Sequence, residues 1–221
     1  MKIIPLVTGL MALLWCHPVS GQALGSYGVK GGISLSNQSF RINSLDFEMD
    51  TEPIAGPSLI FFIEAMKGNH LSIQTDLGFS CRGSSTTTQS VTVNHLDQNR
   101  LVVNTGEKTV SRFRYLSMSP MLRARTNNGG FEPYGLLGPR LDLLLGYSTT
   151  SEYPLEEQNN LILGLSIGAG VEYTIRGKGI FVEVQFQPDL SPVTNHEPLL
   201  INNNSLLFSL GIRWISSPKA S

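Results

Sequence analysis

From Tyr27 onward, apolar and polar residues alternate with a period of two. Tyr27, Val29, Gly31, Ile33 and Leu35 share one parity, and Gly28, Lys30, Gly32, Ser34 and Ser36 share the other. The alternation returns in seven more segments: 55–65, 71–82, 114–126, 134–147, 161–175, 180–188 and 205–214. A period of two belongs to a strand with one apolar face. Helical periodicity is hard to find. The pattern predicts eight strands. Most are long enough for the roughly 9–11 residues of a tilted membrane strand, whereas ordinary globular strands average about 5–6.

The connections carry a second signal. Lys67-Gly68-Asn69-His70, Asn127-Asn128-Gly129-Gly130 and Arg176-Gly177-Lys178-Gly179 are tight, Gly- and Asn-rich hairpin turns. The intervening connections, 37–53, 85–112, 149–160 and 189–204, are long and polar. Short and long alternate, as periplasmic turns and external loops do in outer-membrane barrels. The expectation is therefore an all-β protein, an eight-stranded antiparallel up-and-down transmembrane barrel. Its location would be the bacterial outer membrane, with both termini periplasmic.

The N-terminus fits that destination. Lys2, an apolar run from Ile3 to Trp15 and a small-residue stretch ending at Ala23 read as a secretory signal peptide over 1–23. Cleavage falls after Gly21 or after Ala23, leaving 24–221 as the barrel domain. The apolar run is too short for a membrane helix, which needs about 20 residues. Cys81 is then the lone cysteine, so no intramolecular disulfide forms. No Cys/His metal pattern or cofactor motif is present. The net charge of −1, with mixed signs, gives no nucleic-acid footprint.

Which parity faces inward is decided by composition. The polar parity is mostly Gly, Ser, Gln and isolated charge, which suits a crowded lumen better than a solvated exterior. Aromatics fall near strand ends on the apolar parity, where membrane barrels carry interface girdles: Tyr27, Tyr147, Tyr173 and Trp214. The lumen is then expected to hold Lys30, Arg82, Arg123, Arg125, Arg140 and Arg213 with Glu64, Asp76, Asp142, Glu172 and Glu183. An eight-stranded barrel is just wide enough for side chains to fill. Charges confined there must pair, giving a salt-bridged plug in place of an open pore.

Gly28-Val29-Lys30-Gly31-Gly32-Ile33-Ser34-Leu35-Ser36-Asn37 resembles the first-strand signature of the PorT-like outer-membrane β-barrel family of Bacteroidetes. Similar too are the segments 132–140 and 164–172 and the last strand, Leu207-Phe208-Ser209-Leu210-Gly211-Ile212-Arg213-Trp214. The resemblance covers nearly the whole mature chain. It implies an outer-membrane barrel without a defined activity, although seven residues follow Trp214 where such barrels often end on an aromatic.

Three functions share this architecture. A non-enzymatic structural or surface-interaction barrel would meet outer-membrane lipid with its wall. Its loops 37–53, 85–112, 149–160 and 189–204 would meet an extracellular or envelope protein. A lipid-modifying enzyme would need a rim nucleophile and base; His95 with Asp97 and His196 with Glu197 are loop candidates lacking a spacing motif. A narrow channel is the third. Asp46, Glu48, Asp50 and Glu52 lack calcium-loop spacing and read as a solvated acidic loop. Ser90-Val91-Thr92-Val93 and Arg100-Leu101-Val102-Val103 could prolong two strands into a hairpin above the membrane, open to strand addition. The first function is the expected one.

Overall fold

The computed structural model describes residues 24–42, 47–49, 51–65, 68, 70–94, 100–126, 130–150, 159–192 and 199–216. The expected signal peptide, His95 and His196 lie outside them. The strands are β1 (Leu24–Ile42), β2 (Phe47–Met49), β3 (Glu52–Ala65), β4 (Leu71–Asn94), β5 (Arg100–Arg125), β6 (Phe131–Thr149), β7 (Leu161–Ile175), β8 (Lys178–Pro188) and β9 (Leu199–Ile215). The three-residue β2 pairs only with the tip of β1. The other eight form one antiparallel sheet in chain order, closed where β1 meets β9 from Ser26↔Ile215 to Arg41↔Leu200. Closure leaves no unpaired edge around the barrel wall.

The wall is apolar outside. Phe61, Val182 and Leu210 are 57–60 % exposed, and every other residue on their strands points the same way. Lys30, Glu64, Arg82, Arg123, Arg140, Asp142, Glu172, Glu183 and Arg213 are buried. Lipid can solvate such an exterior; water cannot.

One end carries the short connections, and its described tight turn lies between β7 and β8. Arg176 and Gly177 join β7 to β8 with φ of 48° and 77°, both positive as a two-residue type I′ turn requires. The other end departs from expectation in part. Most of the long connection 85–112 is strand, since β4 runs to Asn94 and β5 starts at Arg100, the hairpin that the patterns at 90–93 and 100–103 allow. Pairing with the flanking strands stops at Glu52↔Ser85 and Ser111↔Thr149. Beyond that rim, β4 and β5 pair only with each other, to Asn94↔Arg100. This two-stranded ribbon stands roughly 30 Å past its neighbours at about 3.3 Å per residue. A register shift between Thr87 and Gln89 bends it at its base.

A second departure concerns Tyr147. Arg114 faces Gly146 while Tyr115 faces Leu144, so Leu145 is an extra residue in β6. This bulge flips the parity beyond it. Tyr147, expected on the outer face, turns inward and lies 4.7 Å from the Phe113 ring, centroid to centroid.

Candidate functional site

Small residues on the inner parity make room for large ones on the neighbouring strand. Phe62 lies across Gly28, Tyr134 across Gly170 and Phe181 across Gly211, each a direct cross-strand pair. A β-carbon at any of these glycines would come within 2.3–2.5 Å of the opposing ring. The rings meet edge to face, Phe62 and Tyr134 each against Phe181, at 5.6 and 6.4 Å. They form an aromatic layer across the lumen with Met121 and Leu136.

Charges are stacked around this layer in three groups. At the tight-turn end, Glu64 accepts from Arg125 at 3.1 Å and from Arg213 and Ser26. Glu172 accepts from Arg123 at 2.6 Å and faces Arg213 Nε at 3.0 Å. Gln74 Oε1 accepts from both Arg123 and Arg213. The two guanidiniums also stack on rings, Arg123 over Tyr134 at 3.8 Å and Arg213 over Phe62 at 4.8 Å. In the middle, Lys30 Nζ lies 2.6 Å from Asp76 and 2.5 Å from Glu183, and the Tyr134 hydroxyl donates to Glu183 at 2.9 Å.

Toward the ribbon end, Asp142 Oδ2 accepts from Arg82 and Arg140, both at 2.7 Å. Arg140 also donates to Asp189, and Arg82 to Gln187 Oε1 at 3.0 Å. Above them Phe113, Tyr115 and Ile162 form a buried cluster with Leu144 and Tyr147 packed against it. A void of about 10 Å³ between the middle and upper groups touches Asp76, Ser80, Arg82, Ser119 and Gln187. That is room for about one water.

All eleven charged residues expected in the lumen take part in these contacts. Sequence reasoning missed Asp189, assigned to a loop, which follows β8 and is fixed by an isolated bridge to Gly164. With it the ion-paired network holds, among the described residues, six cationic side chains and six carboxylates. Expelling water from an isolated ion costs several kcal/mol, and pairing across the whole network offsets that cost. Three cations share two carboxylates at the tight-turn end, one meets two in the middle and two meet two toward the ribbon. Gln74, Gln185 and Gln187 were also missed. They share the strand parity of the charges, which was the available signal, and they link the groups through Gln187–Gln185 and Gln185–Glu183 hydrogen bonds at 2.6 and 2.8 Å.

The outer surface is organised differently at its two ends. At the tight-turn end, Tyr27 stacks on Trp214 at 5.7 Å and Phe131 packs on Tyr173 at 4.9 Å, all on outward-facing positions. At the ribbon end, Lys108, Arg112 and Arg114 are exposed along one face of β5. Lys108 pairs with the exposed Glu52 at 2.8 Å, an ion pair that holds the Glu52 carboxyl below the usual range by hydrogen bond and charge. Among the described residues, no group of three or more His, Cys, Asp or Glu is arranged to hold a metal ion.

Residues 22–195 match the family model described as outer membrane protein beta-barrel domain. Among solved structures, the chain is similar to the outer membrane protein OprG of Pseudomonas aeruginosa. The identity is 11 %, the match covers 90 % of this chain and 99 % of that one, and the TM-score is 0.54. It is also similar to Neisserial surface protein A, at 13 % identity, 87 % and 99 % coverage and a TM-score of 0.47. The outer membrane protease OmpT of Escherichia coli follows at 9 %, 90 % and 99 %, and 0.48. At these identities the likeness is one of fold. No curated protein matches the chain.

Proposed function

This chain belongs to the outer membrane protein beta-barrel domain family, and from that premise we propose that it is a non-enzymatic barrel with a closed lumen that makes its contacts through the β4–β5 ribbon. The ribbon and long connections then face the outside of the cell, and the tight turns and both termini face the periplasm. The first-strand segment Gly28–Asn37 and its companions support a place among the PorT-like barrels.

The ribbon carries the reading. Its two strands pair with each other but, beyond Ser85 and Ser111, with no other described strand. Past Ser85 and past Val110, which Thr150 occupies, both outer edges thus keep backbone donors and acceptors available for an added strand from a protein partner. The lumen argues in the same direction, because its charged groups already meet one another. Glu64, Asp76, Asp142, Glu172, Glu183 and Asp189 are each engaged by a cation.

Deleting 88–105 tests this. Thr87 and Lys108 are already partners, so Gly106-Glu107 remains between them as a two-residue turn with Gly first, a sequence suited to a hairpin. The deleted barrel is expected to keep its heat-modifiable mobility on gels and to lose the protein cross-links that the intact chain forms on whole cells. An unchanged cross-link pattern contradicts the ribbon's role.

A further inference from the structure

We propose that Arg112 and Arg114 bind the phosphate of a membrane lipid headgroup at the ribbon-end rim of the barrel. The inference rests on the barrel spanning the membrane and is independent of what the ribbon contacts.

Four observations carry it. The first is height. The outward residues of β5 run Ala124, Leu122, Pro120, Met118, Leu116, Arg114, Arg112. From Ala124 to Arg114 is roughly 33 Å along the strand, or about 25 Å along the membrane normal at a tilt near 40°, the height of the apolar band of such barrels. Arg114 is thus the first charge above that band, level with lipid headgroups.

The second is the absence of a partner. Both guanidiniums are exposed and neither meets a carboxylate among the described residues. The nearby acid, Glu52, is engaged by Lys108.

The third is the surroundings. Cys81 and Gly83 flank the pair on β4, and Gly146 and Ser148 flank it on β6. All four are small. A β-carbon at Gly146 would sit 3.1 Å from Arg114 Nη2, so the guanidinium lies flat over the glycine.

The fourth is how that setting arises. Were Leu145 paired with Arg114 in an unbulged ladder, Tyr147 would face Arg112 from β6. The bulge takes Tyr147 inside and presents Gly146 and Ser148 instead. Leu116 and Leu145, 39 % and 56 % exposed, remain directly below for acyl chains. Two forked donors on a shallow floor suit a phosphate oxygen face, and the apolar surface below suits a ligand that is itself a lipid.

The test is native mass spectrometry of the full mature chain in detergent micelles, titrated with diphosphorylated lipid A. Dephosphorylated lipid A and inorganic phosphate form parallel arms. The wild type is expected to retain lipid A and neither control. Each of R112Q and R114Q is expected to weaken retention about fivefold, and the double variant about thirtyfold, following the contribution of one cation near a lipid surface. R114K should keep part of the affinity. K178Q, on the outer face at the tight-turn end, should leave it unchanged. Heat modifiability reports folding of every variant. Equal binding by the double variant, or by dephosphorylated lipid A, overturns the proposal. Retention of inorganic phosphate at comparable concentration would make the site one for free anion and overturn the lipid assignment.

Discussion

Arginines lie on both sides of this barrel wall and do opposite things. Inside, Arg82, Arg123, Arg140 and Arg213 have side chains no more than 2 % exposed, and each reaches a carboxylate within 3.0 Å. Outside, Arg112 and Arg114 are exposed and meet no described carboxylate. Arg112, Arg114 and Arg123 belong to the same strand, β5. The difference comes from parity and height alone. An inward guanidinium loses its water and must be neutralised where it stands. An outward one just above the apolar band keeps its hydration and remains open to a ligand.

The sharpest way to break this contrast is to remove one inner carboxylate. Glu64→Ala strips Arg125 and Arg213 of a shared partner. It is expected to cost about 3–5 kcal/mol, as loss of one member of a buried pair does. R112A/R114A should stay within about 0.5 kcal/mol of the parent, as exposed substitutions do. Urea unfolding in micelles measures both, and similar losses in the two would erase the distinction. Next in size is a pair of glycine substitutions. Gly170→Leu drives a side chain into the Tyr134 ring and should cost about 1–3 kcal/mol by overpacking. Gly146→Leu, on the outer face, should leave stability nearly unchanged while displacing Arg114 and weakening lipid A retention.

The bulge gives a smaller, qualitative effect. In a Cys81→Ser background, L145C should react with a bilayer-confined maleimide and Y147C should not; equal labelling would remove the parity flip. The smallest effect is at the outer ion pair. The hydrogen bond and charge of Lys108 depress the Glu52 carboxyl. The pair's contribution is therefore present above the ordinary carboxylate range and fades as pH falls through the lowered value. Lys108→Ala should raise the Glu52 titration midpoint by carbon NMR while hardly changing unfolding, because both groups are exposed.

Much of the body was legible because a half-buried strand writes its two faces into alternate letters. The eight barrel strands and eleven lumen charges follow from that alternation, and the turn at Arg176-Gly177 from its glycine. Where it breaks, the reading failed for identifiable reasons. Leu143-Leu144-Leu145 is apolar at every position, so a one-residue slip leaves no mark, and Tyr147 was placed on the wrong face. Asp189 follows Pro188 at the end of β8, where a single bridge holds it and no repeat continues. The ribbon is legible only in its upper part, where 90–93 and 100–103 suit a hairpin; an isolated pair of strands in water needs no apolar face, so Thr-rich residues 84–90 look like coil. Phe62, Tyr134 and Phe181 lie on the polar parity. Their place inside depends on a glycine across the strand, which only the register reveals.

The claim on which the rest stands is that paired charge and stacked rings close the lumen. Planar bilayer recording of the purified mature chain in concentrated potassium chloride addresses it directly. A closed lumen gives inserted protein with no steady unitary current at any holding potential. Reproducible open-channel steps of uniform size would mean that ions pass through the network, and the account of the interior would be wrong.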